Sequence, residues 1–280
     1  MCRFVAYSGS EILLDDILVK PVNSIIMQSL HARESNIPTN GDGFGLGWYA
    51  PKISDKPALF TSVSPAWNDR NLLNITAKIT APCFFAHVRA ASVAGVTSYN
   101  CHPFIYGRWM LMHNGSISDF IAVKRHLRHL LDDDIYNWIQ GETDSEHLFA
   151  VFLQLAKGKD LHQISIVADV LEETFIVINE LVDKYAYENA SYFNICLTDG
   201  KRLIASRYCT QTNSVPESLH YFVGTSLHRY LEMQGLAPRA ALISSEKLTN
   251  FNADWLDVPA YHFLLIDENH EIALRPIEVN

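Results

Sequence analysis

The chain has 280 residues, 48% of them hydrophobic and 19% charged, enough for one large domain or two small ones with a real core. A formal net charge of −9 argues against a general phosphate-binding surface, because nucleic-acid affinity rests on Lys and Arg neutralising phosphates. No signal-peptide h-region follows Met1, and the greasiest runs fall well short of a membrane span, so the expected location is the cytoplasm, with neither membrane nor nucleic acid as partner.

The chain opens MCRFVAYSG, and residues 2–9 alternate loosely before Ser8-Gly9, a strand followed by a turn. ILLDDILVKP (12–21) reads as a short helix stopped by Pro21, and GDGFGLGWYAP (41–51) becomes strand-like at its end. That glycine run fits no phosphate-loop spacing and lacks the required lysine, so it is read as close backbone packing beside a nucleophile. APCFFAHVRA (81–90) and RWMLMHNG (108–115) are expected to be buried strands, the second closing on an Asn-Gly turn.

Helical periodicity begins at SISDFIAVKRHLRHLL (116–131), with Ser118 as the expected N-cap, and the acids 132–134 are read as a solvated helix end. His126 and His129 on this helix lack any further metal-ligand pattern and are assigned to its solvated face. A second helix is expected from about Thr143 to Gly158, and a third over 162–186, facing either the core or a subunit. Strands return at 192–200, 201–208, 220–226, 240–245 and 261–277, with hairpins at Asp199-Gly200 and Glu268-Asn269. Strands, then helices, then strands predict two sheets with helices outside, an α+β or layered α/β fold.

The five cysteines, Cys2, Cys83, Cys101, Cys196 and Cys209, are odd in number and never spaced C-x-x-C, so free thiols are expected rather than a disulfide framework or a zinc site. Cys2 stands apart. Removal of Met1 would leave a thiol and a free α-amine on one residue, and such an amine titrates near ~7.7–8.0 and can take the thiol proton. Other residues could serve the same chemistry. Arg89, ending an apolar run, can hold a carboxylate bidentately. Asn114 and Gly115 can supply an amide and a backbone N–H to an oxyanion. Asp144, at a helix start, either caps that helix or binds an ammonium. His102 lies in an extended loop before Pro103, while His87 and His113 flank the same region and can tune it. Together these residues describe a site for an α-amino acid with a side-chain amide.

The ordered set MCRF, NGDGFGLGWY (40–49), FFAHVRAAS (84–92), NCHPF (100–104) with MHNGSI (112–117), and ETDSEHLF (142–149) resembles the class II glutamine amidotransferases of the N-terminal-nucleophile hydrolase superfamily. PVNSIIMQSLHARE (21–34) is similar to the stand-alone branch, which includes the hydrolase of ergothioneine biosynthesis and the amidotransferase subunit of the fungal glutathione-degradation complex. The resemblance implies a four-layer αββα sandwich, here a single domain over 2–280 whose motifs concentrate in 2–150 and whose C-terminal strands (190–280) complete the sheets. It implies cysteine-dependent release of ammonia or an amine through a γ-glutamyl thioester, without cofactor or metal. Cys2, Asn114 and Gly115 are then catalytic, and Arg89, Asp144, Ser92 and His102 bind substrate.

One departure matters. Many synthase-linked members place an aromatic residue after the arginine and Thr-His beyond it, where this chain has Ala90-Ala91-Ser92-Val93. Ser92 can replace the threonine hydroxyl, but the wall is open, which implies γ-glutamyl amides or peptides beside free glutamine. No second catalytic domain is recognisable. A separate synthase or peptidase subunit receiving the product, a plain glutaminase, and a γ-glutamyl hydrolase therefore all stay open. The competing reading is a catalytically lapsed subunit that binds a partner or senses glutamine.

Overall fold

The computed structural model describes residues 2–91, 94–186, 190–211, 214–224, 240–250 and 255–279. Strand β1 (Arg3–Leu13) leads into the short helices α1 (Asp15–Leu18) and α2 (Ile25–Leu30), then β2 (Phe44–Trp48), β3 (Ala58–Ser62), α3 (Arg70–Thr76) and β4 (Thr80–Val88). Next come β5 (Phe104–Tyr106), β6 (Trp109–Ser116) and four helices: α4 (Phe120–Arg128), α5 (Asp133–Trp138), α6 (Asp144–Ala156) and α7 (Ile164–Tyr185). The remaining strands are β7 (Tyr192–Thr198), β8 (Leu203–Arg207), β9 (His220–Gly224), β10 (Ala240–Ser244), β11 (Leu256–Asp257), β12 (His262–Ile266) and β13 (Ile272–Pro276).

Among the described residues the strands form two antiparallel sheets, ordered β11-β9-β10-β1-β4-β2-β3 and β13-β12-β8-β7-β6-β5. Three apolar layers hold them, and side-chain alternation decides which residue joins which. Phe4 and Ala6 of β1 face inward with Phe85, Met110, Met112 and Cys196 to form the core between the sheets. Val5 and Tyr7 face outward onto Ile17, Ile25 and Leu72 of α1–α3. The other sheet is covered by α4–α7, where Phe175 of α7 stacks on Phe193 at 4.8 Å and packs beside Tyr208 and Phe263. The result is the expected αββα sandwich, and the long helix faces the core.

Local structure departs from expectation where pairing overrides propensity. No turn forms at Asn114-Gly115: β6 runs through to Ser116, paired as Asn114↔Asn194 and Gly115↔Phe193. Ser118 does not cap α4. Its N–H donates to Ser191 Oγ, and the helix starts after Asp119, a left-handed residue with φ 43°. The helix expected over 12–21 shrinks to α1, because β1 continues past a bulge to pair Ile12 and Leu13 with Ala81 and Thr80. The acids at 132–134 open a new helix, α5, rather than closing the previous one. Both predicted hairpins are present, as β7–β8 and β12–β13. The five cysteines are unbridged, and no helix among the described residues is long and apolar enough to cross a membrane.

The glycine run is the close backbone packing its composition suggests. A Cβ on Gly45 of β2 would stand 1.9 Å from the His102 carbonyl oxygen, a main-chain atom that cannot rotate away. Gly45→Ala is expected to destabilise the fold by about 1–3 kcal/mol, as overpacked cores do, read as a lower urea midpoint with an unchanged m-value. An unshifted midpoint would mean that the sheets part at no cost there.

Candidate active site

The ends of three strands meet at one edge of the sandwich. β1 starts where β4 ends, paired Arg3↔Val88, and β2 starts beside it, paired Phe44↔Val88. This register brings Cys2 onto the segment that follows β4: the Ala90 N–H donates to Cys2 Sγ at 3.3 Å, and the thiol points back to the Ala90 carbonyl at 3.5 Å. Cys2 is partly exposed. Burial of its sulfur raises the thiol pKa, opposed by the Ala90 N–H and by the guanidinium charges of Arg89 and Arg3. A thiol held in this way rests protonated and needs a base to become a nucleophile.

Sequence reasoning did not identify the residues that brace this segment. Asp42 N–H donates to the Arg89 carbonyl at 3.0 Å, Arg89 N–H to the Gly43 carbonyl at 2.9 Å, and Ala91 N–H to Asp42 Oδ2 at 2.8 Å. Only the acid within GDGFGLG hinted at this clamp. Arg3 is fully buried and pairs with Glu246 and Glu217, both at 3.7 Å. Glu246 in turn accepts the N–H groups of Arg33 and Glu34, tying the loop before β2 to the base of β1. No local signal could reveal partners so far apart in the chain.

The predicted site residues divide as follows. Arg89 is 3% exposed, and its guanidinium donates to the carbonyls of Gly95 at 3.0 Å and Ala94 at 3.3 Å. Asn114 lies on the same face of β6 as the core residues Met110 and Met112, facing the sheet that carries Cys2, and β1 and β6 touch across the sandwich. Its side-chain amide is buried, and neither its Nδ2 nor its Oδ1 has a hydrogen-bond partner among the described residues. Such a group costs about 1–3 kcal/mol and calls for an explanation. Asn40, just before the glycine run, is a second amide in the same condition.

Thr143 caps α6 by accepting the Glu146 N–H at 3.1 Å, which frees Asp144 from that task. Asp144 Oδ2 accepts the Ile117 N–H at 2.9 Å, joining α6 to the end of β6, while Oδ1 accepts the Ser145 N–H. On the outer face of β6, His113 donates from Nε2 to the Tyr192 carbonyl at 2.8 Å, so its Nδ1 accepts from Ser145 Oγ at 2.9 Å. The end of β6 and the Asp144 turn are thus bonded to each other. Ser92 lies outside the described residues.

His102 is buried between the sheets, stacked on His87 at 4.1 Å with Phe104 edge-on at 4.7 Å. None of the four ring nitrogens of this histidine pair has a hydrogen-bond partner among the described residues. Burial, then the charge on Arg89, pushes the His87 pKa down to about 3; burial and its two neighbouring histidines push His102 well below the ordinary value. His147, buried in α6, donates from Nδ1 to the Thr143 carbonyl and accepts from Arg128 Nε, and burial pushes it to about 4. These rings stay neutral in the fold but take protons in the unfolded chain as pH falls through about 6.5. The unfolded state then binds more protons, so stability drops as pH falls from 6.5 toward 4. Each ring is expected to contribute a slope of roughly 1.4 kcal/mol per pH unit in that window. Urea titrations across the window measure it, and His147→Gln should remove about one proton's share; an unchanged slope would refute the assignment for that ring.

Comparison with known proteins identifies the family and the fold. The profile of the family described as Glutamine amidotransferases class-II matches residues 16–274. A probable glutamine amidotransferase, DUG3, of Saccharomyces cerevisiae is 35% identical over 99% of this chain and 84% of its own length. A gamma-glutamyl-hercynylcysteine sulfoxide hydrolase of Mycolicibacterium smegmatis is 24% identical over 97% of this chain and 98% of its own. In fold, the chain is similar to a glutamine aminotransferase class-II domain protein from Silicibacter pomeroyi, with a TM-score of 0.70 at 23% identity over 99% of both chains.

Proposed function

The chain belongs to the class II glutamine amidotransferases, enzymes acting on C–N bonds, and from that premise we propose that it hydrolyses the γ-amide of γ-glutamyl compounds through a thioester on Cys2. The observation that carries this reading is a thiol fixed by the Ala90 N–H on one sheet, with an unpartnered buried amide among the described residues on a strand of the facing sheet.

In the proposed reaction Met1 has been removed, and the α-amine of Cys2 takes the thiol proton. The thiolate adds to the γ-carbonyl carbon. Asn114 Nδ2 and the Gly115 N–H receive the oxyanion, which accounts for an Asn114 amide without a bond among the described residues. As the C–N bond breaks, the terminal ammonium returns its proton to the leaving nitrogen, which departs as ammonia or an amine. Water, deprotonated by the same amine, adds to the thioester and releases glutamate and the thiol. Arg89 takes the α-carboxylate and Asp144 the α-ammonium, with Ser92 and His102 completing the pocket over a single domain spanning 2–280. No cofactor enters this scheme.

Two features support γ-glutamyl compounds over free glutamine. Ala90 stands directly after Arg89, where synthase-linked members have an aromatic wall, and a relative covering nearly the whole chain is named as a gamma-glutamyl-hercynylcysteine sulfoxide hydrolase. The test is a substrate panel. A γ-glutamyl dipeptide is expected to release glutamate with a higher kcat/KM than glutamine releases ammonia. The reverse order would favour a glutaminase that hands ammonia to a separate synthase.

A further inference from the structure

Between the two proposed substrate anchors lies a side chain with no assigned role. Asn100 is 1% exposed and ends the 3₁₀ turn Ser98–Asn100. Its Nδ2 donates to the Gly95 carbonyl at 2.8 Å, the same oxygen that accepts Arg89 Nη1 at 3.0 Å. Its Oδ1 accepts the Glu142 N–H at 2.9 Å. On the other side of that segment, Glu146 accepts the N–H groups of Gln140 at 2.9 Å and Gly141 at 2.8 Å. Residues 140–142 are therefore held from two sides immediately before Asp144. There is no slack between them: a Cβ on Gly141 would stand 2.5 Å from Asn100 Oδ1 and 2.7 Å from the Tyr99 carbonyl oxygen.

We propose that Asn100 is a positioning residue that sets the spacing between Arg89 and Asp144, and so makes the pocket specific for the α-amino-acid head of its substrate. The inference rests on the reading of those two residues given above. An amide suits this place because one end must donate to a carbonyl and the other must accept from an N–H. The loop it fixes contains Ala94 in the left-handed region at φ 67°, a conformation that persists only when its surroundings over-determine it. Asn100 and Arg89 supply that constraint together. An aspartate here would keep the bond from the Glu142 N–H but set a carboxylate oxygen against the Gly95 carbonyl, releasing the arginine side alone. An alanine at 141 would displace the other side.

Three chromogenic probes read the two ends separately: γ-glutamyl p-nitroanilide, 4-aminobutanoyl p-nitroanilide, which lacks the α-carboxylate, and glutaryl p-nitroanilide, which lacks the α-amine. The wild-type enzyme is expected to discriminate against both truncated probes. Asn100→Asp is expected to raise KM for the full probe on the order of tenfold, with kcat within a factor of about two, and to erode discrimination against the carboxylate-free probe only. Gly141→Ala is expected to erode mainly discrimination against the amine-free probe. Should Asn100→Asp fail to accumulate, Asn100→Ser shortens both arms, and both ratios should fall.

A merely structural asparagine would lower thermal stability or the active fraction and leave both ratios at wild-type values. Unchanged ratios in a discriminating enzyme overturn the proposal. A wild-type enzyme that cleaves all three probes equally overturns the reading of Arg89 and Asp144, and this inference with it.

Discussion

Cys2→Ala is expected to fold normally and to lose γ-glutamyl hydrolysis by about 10⁴-fold or more, the scale seen when a covalent nucleophile is removed. The expectation of normal folding comes from the site itself, because Cys2 is partly exposed and its sulfur bonds only to the Ala90 backbone among the described residues. The stronger form of the test is chemical. Intact mass of the wild-type protein should show loss of Met1, and treatment with the glutamine-mimicking electrophile 6-diazo-5-oxo-norleucine should add one adduct, mapped to Cys2. The neighbouring thiol is a built-in control. Cys101 is buried, and burial pushes its pKa up to about 11, so it should not react. Retention of Met1, or a processed chain that takes no adduct while remaining active, would remove Cys2 from the mechanism. A processed chain without adduct or activity would favour a lapsed subunit.

Asn114→Ala is expected to separate activity from stability. Loss of one oxyanion donor commonly costs ~10²–10³ in kcat, with little change in KM. Truncating a buried polar side chain usually also costs stability, because its partner is left unsatisfied. Asn114 has no such partner among the described residues, so deleting its amide removes an unpaid desolvation and leaves only a small cavity. The unfolding midpoint should therefore stay put or rise while turnover collapses. By contrast, Asn194, its cross-strand neighbour, donates to the Glu217 carbonyl at 2.9 Å, and Asn194→Ala should lower stability in the ordinary way. If Asn114→Ala unfolds more easily and keeps its kcat, the amide is structural and the oxyanion assignment fails.

Several features of the site were legible because their signals are local. FFAHVRAAS announces a buried strand ending in an arginine, and β4 ends at Val88 just before Arg89. ETDSEHLF announces a capped helix, and Thr143 does cap α6. The same locality misled at MHNGSI. Asn-Gly is a strong turn signal, yet pairing of both residues with β7 carries the strand through, so that Asn114 points into the sandwich instead of into solvent. Ser118 does not cap α4 because the chain turns left-handed at Asp119, which takes the N-cap position, while Ser191 from beyond α7 holds the Ser118 N–H. The short helices α2 and α3 and the strand β3 gave no periodicity strong enough to be read.

The sequence by itself determined the chemical inventory: a thiol at position 2, an arginine at a strand end, an amide and glycine before a helix, an acid at a helix start, and glycines that let two sheets approach. These follow from residue type and short spacing. Tertiary structure alone decided how the inventory is held. Arg3 meets Glu246 from the opposite end of the chain, Asp42 grips the segment after Arg89, Asn100 ties Gly95 to Glu142, and two histidines distant in sequence stack without a hydrogen-bond partner among the described residues. The Arg3–Glu246 pair depends on the register of β1 with β10, and the Asp42 clamp on that of β2 with β4; a slip of one residue would turn every inward side chain outward. Register is a property of paired strands, so no single stretch of sequence can carry it.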